Sequence, residues 1–275
     1  MPRRCRYQIP LDSSFFTPLQ LQPIAVGRIG FNAAARWLKE NVFSHRRLIW
    51  EHQIGLVIWS WELEYRAPLD FGAADEAHVD VTGRLRGPGS QFECEMTISG
   101  PDGVSVEMRA VSVPLELTGD AALSGRPRSL PDEILARFDD DEIEPAPRRS
   151  GIPRMRADIE REGTALASTE ETFRVHRHHC EVADQWFWPE ALGYAAVGRE
   201  ELVMRHAPTN AAVRGGLQAP VRSVEATCLR TFQFRDLGRV STTAYDWRDH
   251  LLFVHELTLA DSEINDVHAV AIEHF

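Results

Sequence analysis

The sequence is short of the features that would assign it at a glance. Its 275 residues hold four cysteines, Cys5, Cys94, Cys180 and Cys228, widely scattered and without a C-x-x-C pair. A chain of this length needs no disulfide staples, so the thiols are expected to be reduced and the protein cytoplasmic. Positive charge is in deficit, with a formal net charge of −11. That argues against nucleic-acid binding, whose electrostatic footprint is basic, while leaving room for a local basic patch facing an acidic carrier or CoA-type ligand. No apolar run approaches the roughly 18 residues of a membrane span, so no membrane insertion is expected. Met1-Pro2-Arg3-Arg4-Cys5-Arg6 is basic but leads into Tyr7-Gln8-Ile9-Pro10 rather than an apolar stretch, and no signal peptide is expected. A G-x-S-x-G elbow is missing too, which argues against a serine acyl-enzyme.

What the chain does contain is a repeat. Ile29-Gly30-Phe31-Asn32-Ala33-Ala34-Ala35-Arg36 is echoed by Leu192-Gly193-Tyr194-Ala195-Ala196-Val197-Gly198-Arg199 at an offset of 163. Phe92-Glu93-Cys94-Glu95-Met96-Thr97-Ile98 is echoed by Phe253-Val254-His255-Glu256-Leu257-Thr258-Leu259 at an offset of 161. Two matches in the same order imply two copies of one unit. With 43% hydrophobic residues, each copy has material for a packed core.

In the first copy, Phe31, Ala34, Ala35 and Leu38 recur at helical spacing between Gly30 and Asn41. Leu48–Phe71 is dense in strand formers and alternates around Leu63 and Tyr65. Ala77–Arg84, Gln91–Ser99 and Val104–Leu117 follow as strands, punctuated by Gly87-Pro88-Gly89 and Pro101-Asp102-Gly103. One helix followed by an antiparallel meander is an α+β pattern. The acidic run Asp139–Pro145 reads as a solvated linker within 126–168. In the second copy Thr172–Val182 reads as a strand, Glu190–Leu202 as the helix, and Val221–His274 as the meander. The expected domains are therefore 1–125, the linker 126–168, and 169–275.

This pattern resembles the hotdog fold, in which a long antiparallel sheet wraps one central helix. Trp61-Glu62-Leu63-Glu64-Tyr65-Arg66-Ala67-Pro68-Leu69-Asp70-Phe71, followed by Ala77-His78-Val79-Asp80-Val81, looks like a strand-turn-strand passage of the acyl-thioesterase branch. The resemblance covers about 25–117 and, more loosely, 170–275, and implies a double hotdog: two antiparallel sheets, each around a central helix. It also implies an acyl chain carried as a thioester on CoA or an acyl carrier protein, held in an apolar tunnel between helix and sheet. Thioesterases of this kind often carry Asp-x-x-Gly-His-Val-Asn-Asn before the helix. Here Glu181-Val182-Ala183-Asp184-Gln185-Trp186-Phe187-Trp188-Pro189-Glu190 stands there, without the His and the Asn pair.

Candidate site residues follow from chemistry. Asp184 and Glu190 lie ahead of the second helix beside Trp186, Phe187 and Trp188. A carboxylate there either caps the helix or, among aromatics, acts as a general base. His52, at the start of the first long strand, is proposed to pair with Glu256, the repeat counterpart of Glu95, as a proton shuttle. Trp186 and Trp188 would line the acyl site, and Arg214 or Arg222 would hold a carboxylate. Arg214-Gly215-Gly216 offers backbone N–H groups or an ordinary loop. His176, His178 and Cys180 fall on one face of the expected strand, but ligands along one strand converge poorly, so neither a metal nor another cofactor is expected.

Three functions remain open from sequence. One is hydrolysis of an acyl thioester, with helix-terminal N–H groups polarising the carbonyl. Another, found among thioesterase-like enzymes, is conjugate addition of an amine such as glycine to an α,β-unsaturated acyl thioester. The last is acyl binding without catalysis. The second copy would cover the open sheet face of the first, giving a pseudo-dimer that could form a homodimer.

Overall fold

The computed structural model describes residues 2–117, 125–181, 185–261 and 266–275. The chain divides into two units, Met1–Arg149 and Ser150–Phe275.

The first unit begins with strand β1 (Arg4–Pro10) and helix α1 (Pro23–Asn41). A proline at the first helical position opens α1, where its missing N–H costs no hydrogen bond. The helix starts seven residues earlier than the apolar spacing alone predicts. A short helix α2 (His45–His52) follows, capped by the Ser44 side chain and ended by Gln53 in the left-handed conformation. Then come β2 (Ile54–Tyr65), β3 (Glu76–Arg86), β4 (Gln91–Gly100) and β5 (Gly103–Leu117). The sheet order is β1-β3-β4-β5-β2, all antiparallel. Helix α1 packs against β1, β3, β4 and β5. Trp37, fully buried, lies against Phe92 and Phe138, and its indole is seated over Gly83, where any Cβ would fall 2.7 Å from the ring.

The stretch expected as a linker contains ordered pieces of both units. In the first unit lie β6 (Gly125–Pro127) on β5, helix α3 (Asp132–Leu135) and β7 (Ile143–Glu144) on β3. The acidic run is anchored there rather than solvated throughout. Glu142 is fully buried and accepts from the Arg3 backbone N–H at 2.8 Å and from the guanidinium Nε at 3.0 Å. A buried carboxylate is tolerable only with such partners.

The second unit opens with α4 (Ile152–Glu162), then β8 (Thr164–Arg174) and α5 (Glu190–His206). It continues with α6 (Gly215–Gln218), β9 (Ser223–Cys228), β10 (Leu237–Trp247), β11 (His250–Leu259) and β12 (Val267–His274). Its sheet order is β8-β10-β11-β12-β9, the same strand-for-strand as in the first unit. The repeat read from sequence is thus a repeat of topology, with the central helix in both copies between the first and second strands.

Alternation along β11 places Phe253, His255 and Leu257, all fully buried, on the α5 face. Leu252 and Val254 face the other way, where Ile152 and Ile159 of α4 close an apolar cluster with Val270 and Ile272. The second sheet is therefore covered by helices on both faces.

Candidate active site

The most concentrated chemistry lies at the N-terminus of α5. Strand β8 stops at Arg174, and Arg177–His179 forms a 3-10 turn instead of extending the strand to Val182 as expected. His176 and His178 are therefore not strand neighbours of Cys180, and their rings cluster with His179, at 3.9 Å between the centroids of His178 and His179. Among the described residues no three His, Cys, Asp or Glu side chains are arranged to hold a metal ion.

Cys180 bridges Trp186, and the Glu181 N–H donates to the Gln185 carbonyl at 2.9 Å. This pairing brings the Gln185 side-chain amide to the Glu181 carboxylate, donating at 2.8 Å. Burial pushes the Glu181 carboxyl above the ordinary glutamate value, and the Gln185 bond only partly offsets it.

Trp186, which follows Gln185 on this ribbon, belongs to an aromatic enclosure. Tyr194 of α5 stacks on Phe173 of β8 at 3.8 Å and on Trp186 at 5.9 Å. Phe232 packs edge-on against Trp186 and Phe173 and stacks on His268 of β12 at 4.4 Å. Gly238, paired across the sheet with Phe173, is what lets that ring lie flat: a Cβ there would come within 2.2 Å of it. Burial raises the proton affinity of the Tyr194 phenol, reinforced by the charges of Glu190 and Cys180, so it stays protonated. Burial lowers that of His268, leaving a neutral ring whose buried Nδ1 has no hydrogen-bond partner among the described residues.

The residues expected from sequence are distributed as follows. Glu190 is buried and is the first residue of α5. The N–H groups of Glu190, Ala191 and Leu192 donate to the carbonyls of Phe187, Trp188 and Pro189 at 2.9–3.1 Å, so these three are engaged by the turn rather than open to a thioester carbonyl. Trp186 and Trp188 are both buried. Asp184 lies outside the described residues. Arg214 is exposed, its guanidinium donating to the Ala207 carbonyl at 3.2 Å, and Arg222 is exposed at the entry to β9. Gly216 is a packing glycine, with Phe253 2.5 Å from the site of a Cβ.

His52 ends α2 instead of starting a strand, and its Nδ1 lies 2.7 Å from Glu133 Oε1. Glu256 faces α4 and forms an ion pair with Arg156. Its repeat counterpart Glu95 is bonded by Arg109 at 3.0 Å. The two members of the expected dyad thus belong to different units, and each has a partner of its own. Glu181, Tyr194, His179 and His268 were not singled out from sequence as site residues. Glu181 stood in the passage compared with the thioesterase motif, and its standing as a half-buried acid of raised proton affinity depends on contacts that spacing does not report.

No protein-family model matches the sequence, and no curated protein matches it by sequence. Solved structures do match over its full length. A protein assigned as an oleoyl thioesterase from Lactobacillus plantarum superposes with a TM-score of 0.73 at 11% identity, covering 99% of this chain and 95% of that one. The 12:0-ACP thioesterase from Umbellularia californica gives 0.70 at 13% identity over 98% and 93%. An acyl-ACP thioesterase from Bacteroides thetaiotaomicron gives 0.69 at 13% identity over 99% and 97%. At these identities the likeness concerns the fold. By fold, the chain is a double hotdog.

Proposed function

We propose that the protein processes an acyl thioester carried on CoA or an acyl carrier protein, at the site in front of α5. The observations that support this reading are an aromatic enclosure at the start of the central helix and a carboxyl group of raised proton affinity, Glu181, on the short ribbon that also carries Trp186. A base whose proton affinity is drawn toward neutrality is suited to activating water. In hydrolysis, water adds to the thioester carbonyl carbon and gives its proton to Glu181. The C–S bond then breaks, and the departing sulfur takes that proton as the thiol. Phe173, Trp186, Tyr194 and Phe232 exclude bulk water and hold the first carbons of the acyl chain.

Conjugate addition is favoured as a second reading by one observation, the presence of two proton-handling centres. The Tyr194–His179 pair, bonded at 3.0 Å, would take a proton from the attacking amine, while Glu181, held toward its protonated form by burial, would protonate the α-carbon. Arg214, bonded to the C-cap residue of α5, and Arg222, at the entry to β9 beside His274, lie at the other end of the helix and sheet from Glu181 and take no part in this reading.

Mass spectrometry and thiol release on saturated and α,β-unsaturated acyl thioesters, with and without glycine, tests both readings. Free acid from saturated substrates, abolished in Glu181→Gln, supports hydrolysis. A mass gain requiring both the double bond and glycine moves the assignment to addition. Acyl binding without turnover of any substrate rejects both.

A further inference from the structure

Beneath α5, a second polar cluster lies apart from the site just described. Thr242 Oγ1 is 2.9 Å from His255 Nδ1, and His255 Nε2 is 3.2 Å from Glu273 Oε2. Arg199 of α5 donates to the same carboxylate oxygen at 2.5 Å. Thr242 and His255 are fully buried and Glu273 is 1% exposed. The Arg199 Nε–H is itself buried without a hydrogen-bond partner among the described residues. The three strands β10, β11 and β12 are tied to the helix at one level.

The helix also lies tight against the sheet there. A Cβ on Gly198 would meet Thr242 Oγ1 at 2.3 Å and Val240 at 3.2 Å. Unit one has no such barrier on the matching strand: Cys94 stands at the position of His255, between Phe92 and Met96 on the inner face.

We propose that the Thr242–His255–Glu273–Arg199 network is the floor of the acyl site, ending the space beneath α5 and restricting the ligand to medium-length acyl chains. This rests on the acyl-thioester reading above. Gly198 lies eight residues beyond Glu190, about 12 Å along a helix rising 1.5 Å per residue. An extended alkyl chain advances about 1.25 Å for each bond of about 1.5 Å, so roughly ten carbons reach the floor. Each further methylene would improve binding only about fourfold, whereas splitting a buried ion pair costs on the order of 10²- to 10³-fold. The chain therefore stops where the charges begin.

The test is calorimetric binding of hexyl-, decyl- and hexadecyl-CoA thioethers to the full chain, alongside turnover of the corresponding thioesters. Decyl should bind tightest, with hexadecyl weaker by about tenfold or more. The double replacement Arg199→Met with Glu273→Leu removes both charges together and should strengthen hexadecyl binding about tenfold relative to decyl. Thr242→Ala, which clears the side chain under Gly198 and leaves the ion pair, should shift the ranking the same way and serves if the double variant does not fold. Equal wild-type affinity for decyl and hexadecyl, an unchanged ranking in folded variants, or no binding of any thioether would overturn the floor. Tight decyl binding with the expected ranking but no turnover would reject the catalytic reading and leave the floor standing.

Discussion

The Tyr194 hydroxyl lies 3.0 Å from Nδ1 of His179, a nitrogen that also accepts the backbone N–H of His176 at 3.2 Å. An amide can only donate, so Nδ1 carries a lone pair and the phenol proton points at it. Tyr194 is left with its oxygen lone pairs for a substrate group, and His179 stands behind it as proton acceptor. Tyr194→Phe should therefore lower kcat by about 10²-fold with little change in KM, the usual size of one proton-transfer contribution. Steady-state kinetics on the preferred thioester would show this, and a change in KM alone would mean that the hydroxyl only binds.

Glu181 links activity to stability. Its carboxyl is raised above the unfolded value by burial, so the folded state is penalised when the group ionises. Its favourable contribution is complete below the unfolded glutamate pKa and is lost as pH rises through the folded value. Glu181→Gln should accordingly melt higher than wild type at pH 7–8 and match it near pH 4, while losing turnover. Thermal melts across pH would reveal the crossover; a variant less stable at neutral pH would contradict the assignment.

Glu273 behaves in the opposite sense. Burial alone would raise its carboxyl, but Arg199 and the His255 hydrogen bond outweigh it and hold the value at about 2. The contribution is present above the unfolded value and is lost as pH falls from about 4.5 towards 2. Glu273→Gln should cost roughly 3 kcal/mol at neutral pH, because it takes away the buried carboxylate of Arg199 and leaves the guanidinium only the distant Glu200. Denaturant unfolding at pH 7 and pH 3 should show the deficit shrinking in acid.

Gly238→Val would put side-chain atoms where the Phe173 ring lies. The ring must leave Tyr194, and with it goes the wall of the enclosure. The expected result is a folded protein with weaker acyl binding and a changed Tyr and Trp near-ultraviolet signal; an unchanged spectrum and affinity would show that Phe173 does not shape the site.

Much of the architecture was legible because it depends on short-range periodicity. Gly30 and Gly193 fall in α1 and α5, and Phe92 and Phe253 in β4 and β11, as the two offsets require. Turns announced themselves too: Gly87 and Gly89 adopt positive φ between β3 and β4, and Gly103 does so at the start of β5. Two readings failed where a local signal had a tertiary competitor. The three histidines near Cys180 look strand-like in isolation, but His176 and His179 cap a 3-10 turn with their own rings. His52 looked like a strand start and instead closes α2, because the left-handed Gln53 ends the helix before β2 begins.

The sequence by itself determined the number of units, the helix and strands within each, and their α+β class, since alternation and helical spacing are properties of neighbouring residues. It could not determine which charge meets which. Glu95 and Glu256 are repeat counterparts, and both are taken by arginines from elsewhere in their own units, Arg109 and Arg156. Glu273 is sequestered by Arg199, 74 residues away, while Glu181 is bonded by a neutral amide, that of Gln185. Whether a carboxylate is a structural anion or a base is set by burial and partners across the sheet, and only the tertiary structure assembles those.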